Sequence, residues 1–128
     1  MRTAWLVIGL CLFGLALNGY ASVPSGAKVI ELDQSVTDLA PGAYYKVQVS
    51  TPGTLAVALE QLPEQMKTRI IILDEADNSL ADKITDNPGQ KVTVDAKVDA
   101  PGWYYIGVMD LNGNSHQDPY AFRVTLEQ

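Results

Sequence analysis

Asp110-Leu111-Asn112-Gly113-Asn114 places oxygen-bearing side chains at alternate positions, and Asp118 falls at the ninth position of the same run. Carboxylates and amides at that spacing are what a hard divalent cation needs, so calcium is the ligand this stretch could take. The match to a calcium loop is partial, because Ser115 stands at the sixth position where a glycine makes the turn, and Ala121 stands at the twelfth where a bidentate Glu closes the shell. Asp110, Asn112, Asn114 and Asp118 are therefore the candidate metal ligands. A second oxygen-rich run, Asp74 to Asn78, would join them only if the fold brings the two loops together. Turn formation by Asn and Asp accounts for both runs equally well.

The second chemical resource is aromatic. Tyr44, Tyr45, Trp103, Tyr104, Tyr105, Tyr120 and Phe122 are many for so short a chain, and exposed rings stack on sugars or anchor protein contacts. Neighbouring strand residues face opposite ways, so one ring of each adjacent pair enters the core and the other points out. Trp103, Tyr105 and Tyr44 are the outward candidates and hence the candidate ligand-binding residues.

Enzymatic signatures are missing from the sequence. It has no Gly-x-Ser-x-Gly elbow, phosphate-cradling Gly-rich loop, His-Glu-x-x-His pair or Cys-x-x-Cys. A triad would have to use the single histidine, His116, with Ser115 or Ser79, and loop neighbours rarely have the required geometry. No catalytic residue is assigned, and the chain is read as a non-enzyme. Cofactors are expected to be none, with calcium the one candidate ligand.

These residues need elements to position them. Met1-Arg2, the apolar run Ala4 to Leu17, and small residues Gly19 and Ala21 form the three-part pattern of a secretory leader cleaved after Ala21. The apolar run is short of the roughly 20 residues that cross a bilayer, so export without membrane insertion is expected, to the periplasm or beyond. Residues 22–27 read as a flexible lead and 28–128 as one domain. Cys11, the only cysteine, leaves with the leader, so packing alone must hold the domain. The net charge of −6 becomes −7 as Arg2 leaves, which argues against nucleic acid or an anionic membrane as partner.

Past the lead the dominant period is two. Leu55, Val57 and Leu59 form one alternating set; Val92, Val94 and Ala96 form a second; Tyr120, Phe122, Val124 and Leu126 form a third. Such sets are strand faces. Arg69 to Leu73 is apolar on both faces and suits a central strand. Pro, Gly and Asn pairs separate the runs, and about eight strands are predicted, near 28–32, 43–51, 54–60, 69–73, 79–84, 90–97, 102–110 and 119–127. Residues 61–68 suit either a loop or one helical turn. The fold class is all-β, an antiparallel β-sandwich with a jelly-roll-like order.

APGAYYKVQV at Ala40 to Val49 and APGWYYIGVM at Ala100 to Met109 look like a duplication. Their phases differ. Val47 and Val49 are in phase with Tyr45, whereas Ile106 and Val108 are in phase with Tyr104, so equivalent positions face opposite sides. The shared Ala-Pro-Gly is one strand-entry turn used twice.

The order of these pieces carries a family resemblance. Gly53 to Leu59, Ile70 to Asp74 with its acidic turn and Ser79-Leu80-Ala81, Pro101 to Val108, and Pro119 to Val124 together resemble the bacterial pre-peptidase C-terminal domain. The resemblance implies a non-catalytic jelly-roll-like module, usually attached behind secreted peptidases and linked to substrate binding, secretion or maturation. Relatives in secreted collagenases bind collagen, sometimes with calcium. Here the leader runs directly into the sandwich, so the chain is expected to act alone, as an oligomer or on a separate partner. The function expected is binding of protein or polysaccharide through loops or an aromatic face; the alternative is a structural or regulatory partner of a separately encoded secreted enzyme.

Overall fold

Alternation of apolar and polar residues becomes alternation of burial. In the computed structural model, which describes residues 23–128, Val94, Ala96 and Val98 are buried while Thr93, Asp95 and Lys97 between them are exposed. Leu55, Val57 and Leu59 are buried in the same way. Nine strands result among the described residues: β1 Lys28–Val29, β2 Ser35–Asp38, β3 Gly42–Val49, β4 Gly53–Gln61, β5 Thr68–Leu73, β6 Ser79–Ile84, β7 Thr93–Val98, β8 Gly102–Asp110 and β9 Tyr120–Glu127. They form a five-stranded sheet in the order β1-β3-β8-β5-β6 and a four-stranded sheet in the order β2-β9-β4-β7. Every pairing is antiparallel except the short β1–β3 contact.

Only β5 and β6 follow one another within a sheet; every other consecutive pair crosses between sheets. Crossing of that kind is what makes a sandwich jelly-roll-like, and the predicted fold class is correct. No described residue is helical. The predicted leader, Met1 to Ala21, lies outside the described residues, among which no helix is long and apolar enough to cross a membrane.

The predicted strand 28–32 is corrected. Only Lys28 and Val29 pair as a strand; the chain then turns through Asp33 at φ 68° and begins β2, which the sequence reading left out. Ser35-Val36-Thr37-Asp38 offers one apolar side chain, Val36, so a period of two has nothing to register on. Of the span 61–68, Gln61 ends β4 and Thr68 begins β5, and 62–67 form a loop with a turn closed by the Met66 amide on the Pro63 carbonyl at 3.1 Å. This loop nonetheless serves the core, because Met66 is fully buried.

Tyr45, Tyr120 and Phe122 fill the space between the sheets. Tyr45 meets Phe122 edge-on at 4.9 Å between ring centroids, an arrangement that adds to simple area burial. The hydroxyls of Tyr45 and Tyr120 join a chain of bonds. Lys28 Nζ donates to Asp38 Oδ2 at 2.6 Å, Tyr45 Oη donates to the same oxygen at 2.8 Å, and the Leu39 amide donates to Oδ1 at 2.9 Å. A phenol has one hydrogen, so Tyr120 must donate to Tyr45 Oη across their 2.5 Å contact. Burial raises the Asp38 carboxyl, but the bonds from Lys28, Leu39 and Tyr45 together outweigh it and hold the group below its ordinary value. Burial raises both phenols, Tyr120 to about 12, so neither ionises in the ordinary range. Tyr45→Phe is expected to cost about 1.5–3 kcal/mol in urea unfolding, the size of a lost bond to a charged group. An unchanged midpoint would show that this chain is idle.

Candidate functional site

Strand alternation sorts every residue of the five-stranded sheet to one of two faces. Tyr45 and Tyr104 both enter the core, as their phasing requires, and lie on adjacent strands that pair Tyr104 with Val47 and Ile106 with Tyr45. The opposite parity faces solvent. Across β3, β8 and β5 it gives the rows Gln48–Trp103, Lys46–Tyr105–Leu73, Tyr44–Gly107–Ile71 and Gly42–Met109–Arg69. All three candidate ring residues, Tyr44, Trp103 and Tyr105, thus share this outer face.

They are not equally available. Tyr44 and Trp103 are half-buried, but Tyr105 is only 9 % exposed. The expectation that Tyr105 offers a free platform is therefore corrected. It occupies the central strand with Lys46 on one side and Leu73 on the other, and long neighbours on both flanks cover it. Lys46 also places Nζ 5.0 Å from the Trp103 ring centroid, a cation–π distance.

Gly107 shapes the middle of the face. A Cβ there would stand 2.7 Å from Tyr44 Cε1 and from Ile71 Cγ2, and 2.8 Å from Met109 Cε. The missing side chain lets Tyr44 lie across β8 instead of standing off it. Trp103 is fixed through its backbone, which lies beyond the end of the β5 pairing, by an amide hydrogen bond to Glu75 Oε1 at 3.0 Å. Lys46, Gly107 and Glu75 are not found by the sequence reading: cross-strand register sets Lys46 and Gly107 against the rings, and Glu75 holds only the Trp103 backbone.

The candidate calcium loop has another organisation. Asp110 Oδ1 accepts the amides of Asn112 at 2.8 Å and Asn114 at 3.3 Å, and Oδ2 accepts His116 Nε2 at 2.6 Å. Asn112 and Asn114 turn donors, not acceptor oxygens, toward that carboxylate. Their side chains and that of Asp118 are on exposed residues. Among the described residues no three of His, Cys, Asp and Glu gather as a metal set. Burial raises the Asp110 carboxyl, but the bonds from His116, Asn112 and Asn114 and the charge of His116 outweigh it and hold the group below its ordinary value. Asp74 repeats the device by accepting the amides of Ala76 and Asn78, both at 2.9 Å. The two loops cannot share an ion: β5 and β8 are antiparallel, pairing Thr68 with Asp110 and Leu73 with Tyr105, so Asp74 and Asp110 sit at opposite ends of the sheet.

Two sheets joined by repeated crossings, with rings on an outer face and carboxylates spent on turns, define a jelly-roll-like sandwich module. Comparison of structures finds the pre-peptidase C-terminal domain of a collagenase from Bacillus anthracis, the domain type that the order of strand motifs resembles. That match has a TM-score of 0.60 at 17 % identity and covers 82 % of this chain and all of that one. At this identity the likeness establishes a shared fold. A looser match, TM-score 0.43 at 19 % identity, covers 77 % of this chain and 11 % of a beta-glucosidase from Paenibacillus barengoltzii. No family model and no curated protein matches the sequence.

Proposed function

We propose that this chain is a non-catalytic binding module, exported to the periplasm or beyond, that recognises protein or polysaccharide through the outer face of its five-stranded sheet. One observation supports this most. Tyr44, Trp103, Ile71 and Met109 are half-buried on the solvent side of the five-stranded sheet, whereas the outward residues of β7 in the other sheet are Thr93, Asp95 and Lys97. An apolar face of that kind, rimmed by Lys46 and Arg69, suits a ligand with flat apolar surfaces and polar edges.

The test uses the fact that Trp103 is the only Trp outside the leader. Its fluorescence is followed during titration with soluble xylan and with gelatin, an extended protein. Binding is expected to shift the emission, and Trp103→Ala and Tyr44→Ala are each expected to weaken binding about tenfold or more, as central ring anchors do. Emission that no polysaccharide or extended protein alters would sink the proposal.

A further inference from the structure

The two-residue β1 covers only part of the β3 edge. It pairs Lys28 with Tyr45 and Val29 with Lys46, and the Ile30 amide then donates to the Lys46 carbonyl at 2.9 Å. The chain leaves at this point, and the Asp33 amide donates instead to Val124 of the opposite sheet at 2.8 Å. Successive residues of a strand aim their N–H and C=O groups at opposite neighbours. Lys46 addresses β1, so Gln48 addresses the same side, while Val47 and Val49 address β8 opposite Tyr104 and Gly102. The Gln48 amide and carbonyl therefore face outward along the sheet edge.

They face a groove. It measures about 270 Å³ and lies between Val29, Glu31 and Leu32 of the departing chain and Gln48, Ser50 and Trp103 of the sheet. Val29 is 64 % exposed there. A strand-edge donor and acceptor on the floor, apolar walls and one acidic side chain are the groups that an extended peptide uses when it adds to a sheet: main-chain bonds for affinity and alternate side chains for selection. Among the described residues Glu31 is the only charged one lining the groove, and the whole chain is negative at −6, so the complementary side chain is basic. A sugar ring could use Trp103 and Ser50 but would leave the aligned edge of Gln48 unused.

We propose that this groove binds an extended polypeptide segment carrying a basic residue, by adding a short strand to β3 at Gln48 with the basic side chain at Glu31. The inference rests on the reading of the chain as a binding module, but it uses the sheet edge and shares only Trp103 with the aromatic face.

The probe is a capped eight-residue peptide of alternating Thr and Val with one central Lys, added to millimolar concentration and followed by amide chemical shifts. Shifts are expected at Glu31, Gln48, Ser50 and the Trp103 indole, with slowed hydrogen exchange at the Gln48 amide. Methylating alternate peptide nitrogens, or replacing the Lys by Glu, is expected to weaken binding about tenfold or more, because each removes a specified contact. Gln48→Pro removes the edge donor at a position where proline is tolerated and is expected to abolish the shifts; peptide methylation asks the same question without altering the protein. Binding indifferent to methylation, no shift at Gln48, or shifts produced by xylohexaose and not by the peptide would each overturn the inference. Peptide-induced shifts confined to Tyr44 and Met109 would overturn it while leaving the aromatic face standing.

Discussion

Gly42→Ala is expected to destabilise the domain by about 3–6 kcal/mol, whereas Gly102→Ala, at the same place in the repeated Ala-Pro-Gly turn, costs about 2 kcal/mol. Both glycines have positive φ, 116° at Gly42 and 150° at Gly102, so any side chain strains the backbone. What differs is the obstacle. A Cβ on Gly42 would run into the Val108 carbonyl oxygen and come within 2.6 Å of the Met109 Cα. Those are backbone atoms of the paired central strand β8, and moving them breaks the β3–β8 register. A Cβ on Gly102 meets the end of the Glu75 side chain, which can swing away at the loss of its bond to the Trp103 amide. Against a typical total of about 5–15 kcal/mol, the first loss populates the unfolded state and the second lowers the melting point by several degrees. Thermal melts of the two variants check this, and equal losses would contradict the assignment of the two turns.

That asymmetry also marks what the sequence could and could not reveal. Opposite phasing of the two copies was readable from Val47, Val49, Ile106 and Val108, because a period of two needs only neighbours in sequence. It correctly sent Tyr45 and Tyr104 inward. The alternating strands β4, β7 and β9 were legible for the same reason. Partners across strands were not. That β3 and β8 lie side by side, with Tyr44 over Gly107 and Lys46 over Trp103, depends on register between segments about sixty residues apart. Tyr105 shows the limit from the other side: its parity was right, and its burial came from Lys46 and Leu73, which local pattern does not see. The metal reading ran into the same boundary. Spacing told which residues carry oxygen atoms, but not that backbone amides would use the Asp110 carboxylate first.

That carboxylate makes the second large effect. Asp110→Ala is expected to cost about 2–4 kcal/mol, because removing a buried charged acceptor leaves its donors without partners. Its side chain is 1 % exposed and anchors the Asn112 and Asn114 amides and His116, so the alanine variant releases the loop between β8 and β9. Acid should reproduce part of this loss. The folded carboxyl lies below its ordinary value, while the unfolded one titrates near 3.9. As pH falls below that point the unfolded chain takes up a proton that the folded chain refuses, so stability falls with pH. The contribution is complete above the unfolded value and is lost as pH drops through the folded one. Asp38, held low by Lys28, Leu39 and Tyr45 against its burial, acts in the same direction. Melting temperatures measured from about pH 6 down to pH 2 should therefore fall steeply in the parent below about pH 4 and less steeply in Asp110→Ala, where one of these groups is gone. Asp110→Asn separates charge from shape: it keeps an acceptor for the two amides but cannot ionise, so it should hold the loop better than alanine and show the same shallow acid slope. Parallel curves for parent and alanine variant would mean that the loop is held by something other than this carboxylate.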